Sequence, residues 1–360
     1  MTGTHRGAFR TELADAVSLR TVLLVIGVLL VQPGFVASYV GAFHHPQPHD
    51  VSIGVVAPDP RTAARVVSRL DAIDGHPLSA QAVADRRSAV RQVRDADLAG
   101  AVVIDPRTTR DELLVANGGG ASLVTALEQV AGKAEAQQGR TITTTDLVPL
   151  ESGDARGLSG FYLTIGWLVG GYLVASLLGV AKGARPANRR RATIRLLAAV
   201  PYAVVSGLGG ALIVDQAFGA LTGHFWHLWG LGTLLVLSAA TVTMALQVLF
   251  GTIGIGLTVL LFVVLGNPSA GGAYQAQLLP AFWRSIGGLL PNGAGTDAVR
   301  RIVYFDGVGV AGEVLLVVGY VLVGAVVTLV ASSRRRPSAA AVRATGAGGR
   351  RTVVPGENAA

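Results

Sequence analysis

Thr21-Val-Leu-Leu-Val-Ile-Gly-Val-Leu-Leu-Val-Gln-Pro-Gly-Phe-Val-Ala-Ser-Tyr-Val-Gly-Ala-Phe43 carries no charged side chain, and the residues after it, His44-His45-Pro46-Gln47-Pro48-His49-Asp50, are polar. About 20 apolar residues cross the hydrocarbon core of a bilayer as a helix, so residues 21–43 predict a membrane span. Arg6, Arg10 and Arg20 precede it, as basic residues precede a secretory leader. The apolar run is longer than a leader core of roughly 7–15 residues, and no clear small-x-small cleavage site follows. The segment is therefore read as a retained anchor.

Working outward, about 110 mixed and charged residues follow the first span. Five more apolar segments then come in close succession, at 159–181, 196–216, 228–249, 251–267 and 310–332. The expected fold is an α-helical polytopic membrane protein with six transmembrane helices in a one-plus-five layout. An extracytoplasmic α/β domain, residues 44–158, is expected between the first and second spans. Residues 1–20 are expected as a cytoplasmic tail. In it Ala8–Leu19 mixes Phe9, Leu13 and Val17 with Arg10, Glu12 and Asp15, a pattern for an interfacial helix or for an extension of the first span. Residues 333–360 are expected as a disordered basic cytoplasmic tail.

Composition agrees with a membrane protein. Apolar residues make up 51% of the chain and charged residues 14%, against about a quarter charged in a soluble domain. With no cysteine there is neither a disulfide framework nor a thiolate metal site. The net charge of +8 would suit a nucleic-acid binder until the charges are placed. Fifteen of the 22 acids lie between Asp50 and Asp154, which leaves the intervening domain near neutral. The remaining bases cluster in the N-terminal tail, in a loop after the second span (Lys182, Arg185, Arg189, Arg190, Arg191, Arg195), and in the C-terminal tail from Arg334 to Arg351. Short loops rich in Lys and Arg stay cytoplasmic. With six spans all three clusters fall on one side, so both termini are expected inside and residues 44–158 outside. The excess charge is then a topology signal and a contact with anionic membrane lipids, and no nucleic-acid partner is expected.

Within the intervening domain, Val51–Val56 and Ala101–Ile104 read as buried strands, and Glu112–Ala116 and Ile142–Leu147 as further strands. Arg61–Ile73, Ala84–Asp97 and Ala121–Gln137 carry helical spacing, which makes an α/β layer. Gly118-Gly119-Gly120 before a helix resembles an anion cradle but lacks the spacing of a phosphate loop, so a loop-to-helix turn is expected. His44, His45 and His49 have no carboxylate-rich surroundings in sequence and are read as an interfacial linker, with no metal. No nucleophile motif such as Gly-x-Ser-x-Gly is present, so no catalytic residues and no enzyme are expected.

Gly266-Asn-Pro-Ser-Ala-Gly-Gly272, Leu279-Pro280, Leu290-Pro291 and Asp297-Ala-Val-Arg300 interrupt an otherwise apolar stretch. Broken backbone at membrane depth persists only when it is buried in protein or lines an aqueous cavity. Residues 268–309 are therefore expected as a re-entrant or interfacial segment on the outer side, ending in an amphipathic helix before the last span. Few ionisable residues lie within the spans, which argues against a proton-coupled pump.

At these residues, with Asp146-Leu-Val-Pro-Leu150, the chain resembles the permease subunit of a type-2 ABC exporter, and is especially similar to the phage-infection-protein-like (YhgE/Pip) branch. That resemblance implies a homodimer or heterodimer of permeases in the bacterial plasma membrane, moving an amphipathic or lipid-like compound. No Gly-x-x-x-x-Gly-Lys-Ser/Thr occurs in the chain. ATP would thus act through a separate cytoplasmic ATPase subunit, with no cofactor bound by this chain. The resemblance makes Lys182, Arg185, Arg189, Arg190, Arg191 and Arg195 the ATPase-coupling loop. It makes Gly271, Gly272, Pro280, Pro291, Asp297 and Arg300 an outer gate or re-entrant segment. The alternative is a non-transporting membrane protein whose outer domain binds an envelope component or partner.

Overall fold

The computed structural model describes residues 19–186 and 188–333. Helix α1 covers Leu19–Phe43. An α/β domain follows, made of β1 (Val51–Val56), α2 (Pro60–Asp71), β2 (Leu78–Ala82), α3 (Arg86–Arg94), β3 (Gly100–Val103), β4 (Arg110–Val115), α4 (Ala121–Ala136) and β5 (Thr141–Asp146). Local chemistry fixes the helix starts. The Asp59 carboxylate accepts from the Arg61 and Thr62 amides, and the Asp85 carboxylate from the Ser88 amide, capping α2 and α3.

The five strands stand in the order β2-β1-β3-β4-β5. Strand β1 runs parallel to β2 and β3, β3 pairs antiparallel with β4, and β4 parallel with β5. Alternation along the strands supplies two cores. Val51, Ile53, Val55, Leu113 and Val115 pack with α2 and α4 on one face. Val56, Ala101 and Leu114 pack with α3 on the other. Neither core is closed by the domain alone: Tyr274 and Leu278 complete the first, Tyr304 and Phe305 the second.

The rest of the described chain is helical. It comprises α5 (Ser159–Lys182), α6 (Arg189–Ala211), α7 (Phe225–Phe250), α8 (Ile253–Val259), α9 (Ala281–Gly287), α10 (Pro291–Tyr304) and α11 (Ala311–Ser333). Wider π-helical turns extend α6 over Leu212–Ala217 and α8 over Leu260–Gly266. Among the described residues, Val25–Phe43, Ser159–Ala181, Arg189–Ala217, Phe225–Phe250 and Ala311–Ser333 are long and apolar enough to cross a membrane, and Ile253–Ser269 is a shorter apolar helix.

Helix α7 is the centre of this block and packs on α5, α6 and α11. Glycines permit the close approach. A Cβ on Gly207 would lie 2.7 Å from the Thr233 amide, and one on Gly324 2.7 Å from Thr241 Oγ1. Gly171 abuts the Val236 carbonyl. Without a hydrophobic force between helices in lipid, such contacts supply much of the attraction.

One expected boundary needs correction. The third span was expected to begin at residue 196, after a basic loop. Helix α6 begins at Arg189, because the Asn188 side chain accepts from the Arg191 amide and caps it there. Arg189, Arg190, Arg191 and Arg195 therefore sit on the first turns of a helix. The segment 268–309 was expected as re-entrant or interfacial, ending in an amphipathic helix before the last span. That helix, α10, is buried over most of its length, Pro291 to Val303, while the Asp297 and Arg301 side chains stay partly exposed. The interfacial helix expected at Ala8–Leu19 lies outside the described residues except for Leu19, as does the basic tail after Ser333.

Candidate functional site

The Gly/Pro-broken stretch forms a helical hairpin packed against the long apolar helices. Pro280 precedes α9, and Pro291 occupies the first position of α10, where the missing amide costs no hydrogen bond. Close contact between Gly287 and Gly293 lets the two arms approach at their junction. The junction is deep. The Tyr320 hydroxyl donates to the Leu289 carbonyl at 2.8 Å. Tyr320 lies nine residues into α11, about 13 Å from its start at 1.5 Å per residue. Asn292, only 1% exposed, donates from Nδ2 to the Phe262 carbonyl at 2.9 Å and to Asn267 Oδ1 at 2.8 Å. One amide side chain thus ties the hairpin to α8.

From that depth α10 rises towards the α/β domain. Gly295 packs on Thr164 and Leu235, and Val299 on Gly160. At the top, the Tyr304 hydroxyl donates to Asp154 Oδ2 at 2.7 Å, while Asp154 Oδ1 accepts from the Ser159 amide at the start of α5. The residues expected to form an outer gate come together here in part. Arg300 bonds Asp297 at 2.6 Å and donates to the Gly271 carbonyl at 2.9 Å. Gly271 has φ +71°, which favours glycine. Gly272 lies against the Phe161 ring of α5. Pro280 and Pro291 stand apart from this cluster and set the starts of the two arms.

The Gly118–Gly120 run is the socket for this hairpin. A Cβ on Gly118 would lie 2.7 Å from Tyr304, Gly119 faces the Phe305 ring, and Gly120 faces the Gln275 side chain at φ +142°. Gln275 Oε1 accepts from the Leu123 amide at 3.0 Å, a donor in the first turn of α4 that it shares with the Gly120 carbonyl. Ser122 Oγ donates to the Ala273 carbonyl at 2.7 Å. The linker after α1 joins in, with Gln47 and His49 amides donating to the Leu278 and Gln277 carbonyls. A cavity of about 220 Å³ between domain and hairpin is lined by Gln275, Gln277, Asp297, Arg300 and Arg301. The sequence marked the three glycines but not their partners. Gln275, Asp154, Asn292 and Phe305 carried no local signal, because their roles exist only across distances of tens to hundreds of residues.

The opposite end of the block is basic. Lys182 ends α5, and Arg189, Arg190 and Arg191 are exposed on the first turn of α6. Arg195 Nη2 donates to the Gly183 carbonyl at 2.9 Å. Arg185 Nη2 donates to the Leu249 carbonyl at 3.2 Å and lies against Gly251. The α5–α6 connection is therefore joined to the α7–α8 turn, a neighbour that sequence reading missed.

In the α/β domain, Arg140 Nε bonds Asp111 Oδ2 at 2.7 Å and lies 3.6 Å from Glu135 Oε2. Burial, then the adjacent Asp111 carboxylate, push Glu135 up to about 7. Burial would also raise Asp111, but bonds from Arg140 and the Asp105 amide outweigh it and hold Asp111 below the usual range.

No curated protein matches the chain. A family model described as ABC-2 family transporter protein matches residues 19–334, a range that takes in the domain, the hairpin and every membrane helix described above. The chain belongs to the ABC-2 family of transporter membrane proteins.

Proposed function

We propose that this protein is the permease subunit of an ABC-type exporter, of the phage-infection-protein-like branch, that moves an amphipathic or lipid-like compound across the bacterial plasma membrane. The observation that carries this reading is the α9–α10 hairpin, whose junction packs against the middle of α11 and which is clasped at its top by the α/β domain. In this reading α1, α5, α6, α7, α8 and α11 cross the membrane. The termini and the basic α5–α6 end face the cytoplasm, and the domain lies outside. A separate ATPase subunit docks at Lys182, Arg185, Arg189, Arg190, Arg191 and Arg195, and two permeases assemble as a homodimer or heterodimer. The gate consists of the hairpin and the Gly271–Asp297–Arg300 cluster. The completion of both domain cores by Tyr274, Leu278, Tyr304 and Phe305 favours this over a domain that merely uses the spans as an anchor.

The absence of native cysteine makes the orientation directly testable. Single Arg87→Cys and Arg190→Cys variants are treated in intact cells with a membrane-impermeant maleimide. Arg87→Cys is expected to label and Arg190→Cys only after permeabilisation; the reverse pattern overturns the orientation. Affinity purification of the solubilised chain is expected to recover an ATPase. Replacing Arg185, Arg189, Arg190 and Arg191 by Gln is expected to reduce that recovery at least fivefold. Consistent absence of an ATPase, with efflux unchanged on deletion, defeats the exporter reading.

A further inference from the structure

Helices α2 and α4 cover the same face of the sheet but leave a cleft of about 830 Å³ between them. This lies within the range of roughly 300–1,000 Å³ typical of small-molecule sites. Ile53, Leu70, Val102, Leu127 and Val130 make its walls and floor apolar. Its mouth is polar and carries one cation on each helix, Arg69 on α2 and Lys133 on α4. A hydrogen bond from Arg69 Nη1 to Gln138 Oε1, 3.3 Å long, spans that mouth. Arg69 and Lys133 face no acid in any ion pair among the described residues. Two acids line the cleft as well: Glu135 is ion-paired with Arg140, whereas Asp74 joins no ion pair among the described residues, which leaves two unpaired cations against one unpaired acid.

The cleft also reaches Gln47 and Pro48, on the linker that leaves α1. That linker is hydrogen-bonded to Gln277 and Leu278 of the hairpin segment. An apolar cleft whose lining carries two unpaired cations against one unpaired acid fits an apolar chain bearing an anionic head.

We infer that the α2–α4 cleft is a binding site for a single-chain anionic amphiphile, with the chain on Ile53, Leu70, Val102 and Val130 and the anionic head between Arg69 and Lys133. Helix α4 links this site to the hairpin, since its C-terminal half walls the cleft and its N-terminus is held by Gln275. The inference draws on the amphipathic-substrate reading only for the choice of probe.

The test uses the full chain in phosphatidylcholine nanodiscs, with oleate as the probe. A Val130→Cys variant reports on the cleft, and Arg87→Cys, on α3 across the sheet, reports on a surface outside it. Oleate is expected to slow maleimide labelling of Val130→Cys at least fivefold while leaving Arg87→Cys unchanged. Oleylamine and methyl oleate are expected to protect at most weakly. Adding Arg69→Gln and Lys133→Gln is expected to remove most of the protection, with an unchanged melting temperature showing that the fold persists. Equal slowing at both cysteines, equal protection by oleylamine, or protection that survives loss of both cations overturns the inference. No ATPase or transport enters the measurement, so its failure leaves the exporter reading standing.

Discussion

Tyr304 and Asp154 show how one polar contact joins the two parts of the molecule. Asp154 is 3% exposed, and its carboxylate is shared between the Tyr304 hydroxyl and the Ser159 amide. Hydrogen bonds to a charged group contribute about 1.5–3 kcal/mol, and a buried acceptor left without its donor loses most of that. Tyr304→Phe is therefore expected to destabilise the solubilised protein by about 2 kcal/mol, read as a lower melting temperature. Glu135 supplies a test of opposite character. Its folded pKa of about 7 lies above its ordinary 4.5. Between those values the folded state holds a proton that the unfolded state has lost. Stability from this group thus falls as pH rises from about 4.5 to 7 and is level above. Glu135→Gln is expected to flatten that slope and to raise stability at pH 8 by at most about 3 kcal/mol, measured as melting temperature against pH.

Among the elements, the α9–α10 hairpin depends most on tertiary support, because neither arm is long enough to cross a membrane. The Asn292 side chain stands in for a longer helix by meeting Phe262 and Asn267 on α8. Truncation leaves buried acceptors without a donor, at about 1–3 kcal/mol. Asn292→Ala is expected to destabilise the protein by an amount in that range, read as a lower melting temperature, and to impair efflux. Asn292→Asp is expected to do no better, since its carboxylate cannot donate to the Phe262 carbonyl. Wild-type efflux in Asn292→Ala would show that the hairpin is not part of the gate. Much of this element was legible in the sequence, because Gly and Pro in an apolar run signal backbone that needs partners. The burial of helix α10 was less legible. Asp297, Arg300 and Arg301 gave it an amphipathic pattern, yet Arg300 is satisfied inside the protein by Asp297 and the Gly271 carbonyl rather than by water.

At the scale of the whole molecule, domain and membrane block share their cores. Leu278 and Phe305, respectively 3% and 5% exposed, are buried against the domain although they belong to the membrane half of the chain. Burying a large apolar side chain contributes roughly 1.5–3 kcal/mol. Leu278 and Phe305 alone thus contribute about 3–6 kcal/mol, which reaches the lower range of a small domain's whole stability, about 5–15 kcal/mol. The isolated segment 46–155 is accordingly expected to bind a hydrophobic dye and to unfold without a sharp transition, whereas the full chain retains a cooperative one. A sharp transition in the isolated segment would show that the membrane block adds little to the domain.

The sequence by itself determined the class of molecule and the elements of the domain. Apolar run length, strand alternation and helical spacing are local quantities, and they report burial wherever a segment ends up. It also located the basic end and the broken segment, since charge clusters and Gly/Pro interruptions are visible one residue at a time. Only the tertiary structure decided that Gly118–Gly120 is a socket rather than a simple turn. A glycine marks that something must come close, but not what, and Tyr304, Phe305 and Gln275 lie more than 150 residues away. It alone decided that α6 starts at Arg189, and that the space between α2 and α4 stays open. Cap geometry and the splay of two helices follow from how the parts pack together, which no single stretch of chain encodes.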